Sequence, residues 1–173
     1  MVDLVFLKTL RQLLVLLINI SLIYLLLSVI KSNEQRNFLL ISKIKSILKN
    51  EINRKKITFL GVTFKANTDD MRDSPSLKLI PSLIKKGAFI NYYDPTGEKE
   101  IFSKLKNVTF SSSIKEAIKF SDLIVIHTEW NEFKSINFKI NSKNKKLIIY
   151  DLRNLYSSSV MKNMGLKYFG IGR

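Results

Sequence analysis

From Ile57 to the C-terminus, short apolar runs alternate with stretches of helical pattern, and this alternation constrains the fold of the 173-residue chain more than any other feature. Ile57–Leu60, Phe89–Tyr93, Val108–Phe110, Leu123–His127 and Leu147–Tyr150 have strand length and are largely apolar, with Lys167–Phe169 as a last edge strand. Ser74–Lys86, Ser113–Phe120 and Ser157–Met164 carry helical spacing. Ser74 and Ser113 suit N-caps, Pro75 a first helical turn, and Gly87 and Gly165 left-handed stops. Strands that are apolar throughout must be covered on both faces. The pattern therefore predicts an α/β fold: a doubly wound, mostly parallel, Rossmann-like sheet.

The residues before Ile57 differ in character. Leu13 to Ile30 contains no charged residue and is dominated by Leu and Ile, which meets the minimum length of a membrane-spanning helix. Lys8, Arg11 and Lys31 flank the run without choosing an orientation. From Ser28 to Leu48 the pattern is helical, with Val29, Ile30, Asn33, Arg36, Phe38, Leu40, Ile41, Ile44 and Leu48 near spacings of three and four. A long N-terminal helix is thus expected ahead of the sheet, followed by a basic connector, Asn50–Lys56. Three segments result: residues 1–27, 28–56 and 57–173.

Cysteine is absent and there is one histidine, so thiolate and histidine-based metal sites and a cysteine nucleophile are excluded. The net charge of +15 raises the question of nucleic acid. Along the sequence, however, the lysines are dispersed among Ile and Asn (Lys43, Lys45, Lys49, Lys55, Lys56, Lys143, Lys145, Lys146), with no aromatic residues interleaved. No nucleic-acid partner is expected on that basis.

In an open α/β sheet, ligands meet the C-terminal strand ends. Those ends here carry Lys65 to Arg72, Asp94-Pro95, His127-Thr128-Glu129-Trp130 and Asp151-Leu152-Arg153-Asn154. Lys65, Arg72 and Arg153 are the cations an anionic nucleotide would need, Arg as a fork and Lys as a point charge. Lys65 and Arg72 have an equal structural alternative in pairing with Asp69, Asp70 or Asp73. Asp94-Pro95 reads as a turn, His127 as the end of a buried strand and Trp130 as a packing residue. No Gly-x-Gly-x-x-Gly occurs, so the domain carries no dinucleotide fingerprint and reads as a substrate domain.

Several of these motifs together resemble the UDP-glucose/GDP-mannose dehydrogenase family. Gly61-Val-Thr-Phe-Lys-Ala-Asn-Thr-Asp-Asp-Met-Arg-Asp-Ser-Pro75 is similar to that family's Phe-Lys…Thr-Asp-Asp…Arg…Ser-Pro signature. Lys86-Gly-Ala, Tyr93-Asp-Pro95, Thr128-Glu-Trp-Asn-Glu-Phe133, Asp151-Leu-Arg-Asn154 and Gly170-Ile-Gly-Arg173 follow in family order, and Ser28–Arg36 resembles the end of the family's linking helix. The resemblance implies the UDP-sugar-binding C-terminal part of an NAD-dependent UDP-glucose 6-dehydrogenase. It implies Lys65 and Arg153 on the substrate, UDP-glucose or a related nucleotide sugar, and Arg72 reaching toward NAD. A homodimer through the linking helix and a cytoplasmic location are implied with it. Leu152 departs from the family's Asp-Gly-Arg-Asn.

The family's catalytic cysteine belongs in Gly-Gly-Ser-Cys-Phe-Pro-Lys-Asp, where this chain reads Met1-Val-Asp-Leu-Val-Phe-Leu-Lys-Thr-Leu10. Codons permitted by these residues, read in a shifted frame, encode Gly-Gly-Ser-Cys-Phe-Pro-Lys-Asp-Ile. Residues 1–27 are therefore expected to be frameshifted translation within a broken gene, and the chain to be inactive alone. The competing expectation is a membrane-tethered nucleotide-sugar-binding module anchored through residues 13–30.

Overall fold

The computed structural model describes residues 4–172; Met1–Asp3 of the opening segment and Arg173 of the closing motif lie outside it. Helix α1 runs from Leu4 to Ile47, and the chain divides into two units, residues 1–39 and 40–173. In the first unit consecutive apolar residues such as Leu16, Leu17 and Ile18 are all exposed, so no single face of this stretch is covered. Among the described residues no helix is long and apolar enough to cross a membrane.

The second unit starts with the last turns of α1. Leu40, Ile44, Ile47 and Leu48 are buried there at spacings of three and four. Phe38, expected on the same stripe, is 70 % exposed. The side chains of Val29, Ile30 and Asn33 lie outside the described set.

Six strands follow: β1 (Lys56–Leu60), β2 (Phe89–Tyr93), β3 (Val108–Phe110), β4 (Leu123–Ile126), β5 (Ile148–Asp151) and β6 (Lys167–Gly170). All their pairings are parallel, in the order β3-β2-β1-β4-β5-β6. The helices between them are α2 (Ser76–Lys85), α3 (Glu100–Ser103), α4 (Ile114–Ile118), α5 (Phe138–Asn141) and α6 (Ser158–Asn163), with a 3-10 turn at Asn131–Ser135. The sequence pattern missed α3, α5 and the 3-10 turn. α3 and α5 are only four residues long, barely one turn, and the 3-10 turn does not follow the α-helical period.

Strand alternation divides the core. Ile57, Phe59, Leu123 and Val125 pack with the end of α1, with α2 and with Phe102 of α3. Leu60, Ile124, Ile126 and Ile149 pack on the other side with Ala117 and Ile118 of α4, Phe138 of α5 and Met161 of α6. Both faces are covered, which is why the strands read as continuous apolar runs.

Ser113 caps α4 as expected, accepting from Glu116 N at 3.2 Å. Ser74 does not cap α2. Its hydroxyl donates to Val62 O at 2.7 Å and accepts only a long 3.4 Å bond from Ser76 N, and Pro75 occupies the cap position.

Candidate functional site

Where the central strands end, a set of hydrogen bonds holds one loop against its neighbours. Leu60 O accepts from His127 N (3.0 Å), and Gly61 N donates to Tyr93 O (2.8 Å), so β1 hands over to its loop between β2 and β4. Gly61 has φ +76°, and a Cβ built there would lie 2.5 Å from Thr128 Cβ. Only glycine fits this turn without displacing β4.

Asp94, at the end of β2, organises the next step. Its Oδ2 accepts from Val62 N (2.8 Å) and Thr63 N (3.4 Å), and its Oδ1 from Thr96 N (3.0 Å) and Thr96 Oγ1 (2.6 Å). The carboxylate is buried, and Lys99 Nζ, also buried, stands 3.8 Å from Oδ1 and donates to Thr96 Oγ1 (2.6 Å). Sequence reasoning read Asp94-Pro95 as a turn, which it is, but missed that the turn's carboxylate fixes the start of the loop. Lys99 was missed entirely, because nothing in sequence separates a buried lysine from the many exposed ones.

The loop then closes on itself. Phe64 N donates to Asp70 O (2.8 Å), and the hydroxyls of Ser74 and Ser76 donate to Val62 O at 2.7 and 2.6 Å. Thr128 Oγ1 donates to Thr63 O (2.8 Å), tying β4 to the same backbone. Within this frame Lys65 is exposed to solvent. Arg72 forks onto Asp70 through Nε and Nη2 at 3.0 and 2.9 Å, with its side chain 89 % exposed. The hydrogen bonds from Arg72 hold the Asp70 carboxyl down at about 2 and raise the guanidinium in turn. Lys65 and Arg72 thus divide between the two alternatives: Arg72 pairs within the loop, while Lys65 faces water.

Arg153 follows β5. The buried side chain of Leu152 packs into the α1–α2 side of the core, and Asp151 Oδ1 accepts from Arg153 N (2.9 Å), which together aim the guanidinium along the sheet edge. Its Nε donates to His127 O (2.9 Å) and its Nη2 to Phe64 O (3.1 Å). Glu129 Oε2 lies 2.8 Å from Nε, but the single Nε proton points at His127 O, so the Glu129 contact is ionic. Arg153 therefore stitches the ends of β1, β4 and β5 together across the residue that precedes Lys65. His127 itself is fully buried, with Nδ1 on Thr128 Oγ1 (3.0 Å) and Nε2 unpartnered. Burial, aided by the Arg153 charge, holds its imidazole neutral down to about 3. It is a packed strand end, as its sequence context suggested. Trp130 is likewise buried in the core on the α4 side.

This edge presents Lys65 on a braced backbone platform with the paired Arg72 and Arg153 beside it, an arrangement suited to an anion. The family model for the UDP binding domain of the UDP-glucose/GDP-mannose dehydrogenase family matches residues 58–158. The chain belongs to that family. A UDP-glucose 6-dehydrogenase of Rickettsia prowazekii is 40% identical over 151 residues, covering 86% of this chain and 35% of that protein. A UDP-glucose 6-dehydrogenase of Rhizobium meliloti is 36% identical over 142 residues, covering 82% of this chain and 32% of that protein. The chain thus spans about a third of the curated relatives it matches. Among solved structures, a UDP-D-ManNAc dehydrogenase of Pyrococcus horikoshii superposes with a TM-score of 0.60 at 27% identity, over 80% of this chain and 30% of that one. An NDP-N-acetyl-D-galactosaminuronic acid dehydrogenase of Methanosarcina mazei shares the fold at a TM-score of 0.66 and 24% identity, over 80% of this chain and 29% of that one. The family signature falls on the braced loop between Gly61 and Pro75.

Proposed function

We propose that this chain is the UDP-sugar-binding part of an NAD-dependent UDP-glucose 6-dehydrogenase, acting in the cytoplasm on the oxidation of UDP-glucose to UDP-glucuronate. The observation that carries the reading is the loop at residues 61–75. It is pinned by Asp94, Thr128 and Arg153, and it exposes the Lys65 ammonium at the sheet edge where α/β folds bind ligands. In this reading Lys65 meets the diphosphate of the sugar nucleotide. Arg153 holds the Phe64 carbonyl with one donor and the His127 carbonyl with another, and offers the rest of its fork to the ligand. The match of the UDP binding domain to residues 58–158 supports a uridine nucleotide over other anions.

The described residues do not form a dinucleotide cradle. The turn after β1 lacks closely spaced glycines, and the chain re-enters a helix only at Ser76. Arg72 is the one residue we assign toward NAD, on its exposure at the outer side of the loop. With neither a cysteine nor a Gly-x-Gly-x-x-Gly among the 173 residues, we assign these residues binding and no turnover by themselves. NADH formation from UDP-glucose by the purified chain would overturn that assignment. A homodimer through residues 28–56 belongs to the same reading, supported by the exposed Phe38 and Leu39.

Isothermal titration with UDP-glucose tests the proposal. Binding should weaken at least tenfold in Lys65→Ala, the loss of one charge-assisted contact to a phosphate. Equal affinity of wild type and Lys65→Ala would refute the role of the loop.

A further inference from the structure

The opposite edge of the sheet, where the strands begin, carries a second feature that the nucleotide-sugar reading does not use. Three hollows join along it. The first, of about 260 Å³, lies between the exposed rings of Phe89 and Phe120 over a floor of Thr58, Asn91 and Thr109. It shares Lys56 and Phe120 with the second hollow, which adds Arg54 and Lys143. That one shares Asp122 and Asn144 with the third, lined by Lys49, Lys55, Lys146 and Lys167. The result is one continuous groove with seven cationic side chains along it.

Its acids are few and mostly engaged. Asp122 accepts from Lys56 N (2.9 Å) and Asn144 Nδ2 (3.3 Å), Glu116 accepts from Ser112 N and Oγ, and Glu51 stands 3.9 Å from Lys55. Among the described residues, Lys55 is the one cation of the groove with an ion-pair partner. Around Phe120 the crowding is greatest: Lys56, Lys119 and Lys143 place their ammonium groups 5.4, 5.3 and 5.8 Å from the ring centroid. Three like charges converging on one half-exposed aromatic ring repel each other, and an anion laid beside the ring relieves that repulsion.

We infer that this groove binds single-stranded nucleic acid, with a base stacked in the slot between Phe89 and Phe120 and the phosphates following the lysines. The combination of a cationic track with exposed aromatic rings is what sequence-tolerant single-strand binding requires. The slot is smaller than the ~300 Å³ at which pockets for drug-sized ligands begin, so it suits one base and not a larger molecule. On its floor Thr58 and Asn91 are held by Ala117 O, Ser121 Oγ and Ser111 Oγ, which leaves the exposed Thr109 hydroxyl to meet a base edge, a polar contact that acyl chains would not use. The hollow is also concave and ringed by charge, whereas insertion into a lipid surface needs apolar groups that protrude. Along the sequence these residues are scattered over about a hundred positions. The parallel sheet gathers them because β1, β2 and β4 all start at this edge.

The test is fluorescence anisotropy of a labelled fifteen-nucleotide oligothymidylate titrated with the full chain across a salt series, beside vesicles of phosphatidylserine and phosphatidylcholine. Binding should fall steeply with salt, with a slope of about −0.7 per phosphate contacted. Phe120→Ala should weaken it by about tenfold at constant salt, the effect of one lost stack. Lys56→Ala with Lys143→Ala should flatten the slope by about 1.4, two contacts removed. Circular dichroism melts check that these variants, all at exposed positions, remain folded. Any of three results overturns the inference: no binding to the oligonucleotide at low salt, preferential binding to the anionic vesicles, or an affinity for the oligonucleotide that Phe120→Ala leaves unchanged. Addition of saturating UDP-glucose should leave oligonucleotide binding intact, because the two sites lie at opposite ends of the strands.

Discussion

His127 offers a quantitative handle on how tightly the strand ends are packed. The imidazole is buried beside Phe59, its Nε2 has no partner, and its carbonyl holds Arg153. Burial lowers its folded value to about 3 against 6.5 in the unfolded chain. Below pH 6.5 the unfolded state therefore binds a proton that the folded state refuses, and stability falls as the pH drops from 6.5 toward 3. At pH 7.5 the effect is negligible. At pH 5, one and a half units below the unfolded value, it amounts to about 2 kcal/mol at 1.36 kcal/mol per unit. The perturbation is His127→Leu, which removes the titration while keeping the site apolar. Urea denaturation of both proteins at pH 7.5 and pH 5 gives the stability difference between them at each pH. That difference should move by about 2 kcal/mol in favour of the variant on acidification. A difference that stays constant within error would show that His127 is accessible to protons in the folded state, and would refute the packing described for this edge.

Other substitutions probe the loop's supports. Gly61→Ala places a methyl group against Thr128 at a positive φ, and should lose more than about 1 kcal/mol in urea denaturation; an unchanged midpoint would contradict the close approach. Asp94→Ala leaves the Val62 and Thr96 amides and the buried Lys99 without their carboxylate, and should lose about 3 kcal/mol or more by the same measurement. A loss below about 1 kcal/mol would mean that Asp94 is not the organiser of the loop. Arg72→Ala should lower the urea midpoint only slightly at pH 7, because the Arg72–Asp70 pair it removes is solvent-exposed and screened. In an NMR titration of the carboxyl carbons it should let Asp70 rise from about 2 toward 3.8; an Asp70 that stays low would assign its shift to another group.

The sheet was legible in the sequence because a parallel strand covered on both faces leaves an unbroken apolar run, as Ile57–Leu60 and Leu123–Ile126 do. The long helices were legible for the complementary reason, a period near 3.6 ended by a residue such as Gly87. What escaped was short or tertiary. The four-residue helices at Glu100 and Phe138 complete barely one turn and show no period. Ser74 looked like a cap but hydrogen-bonds Val62 O, a residue twelve positions away whose proximity only the folded loop creates. Lys65, Arg72 and Arg153 could be picked out as candidates from their places after strands. Their different engagement could not, since it depends on Asp70, His127 O and Phe64 O meeting them in space. The cationic groove was hidden more thoroughly, because no two of Lys56, Phe89, Phe120 and Lys143 are close in sequence.

The central claim is that the loop between Gly61 and Pro75 receives a uridine nucleotide. Amide proton–nitrogen correlation spectra of the labelled chain during titration with UDP test it most directly. The account predicts saturable shifts concentrated at residues 61–72, with further shifts at 127–129 and 151–154, all of them absent or displaced to tenfold higher UDP in Lys65→Ala. Shifts confined to the groove around Phe120, or no saturable shifts at all, would contradict it.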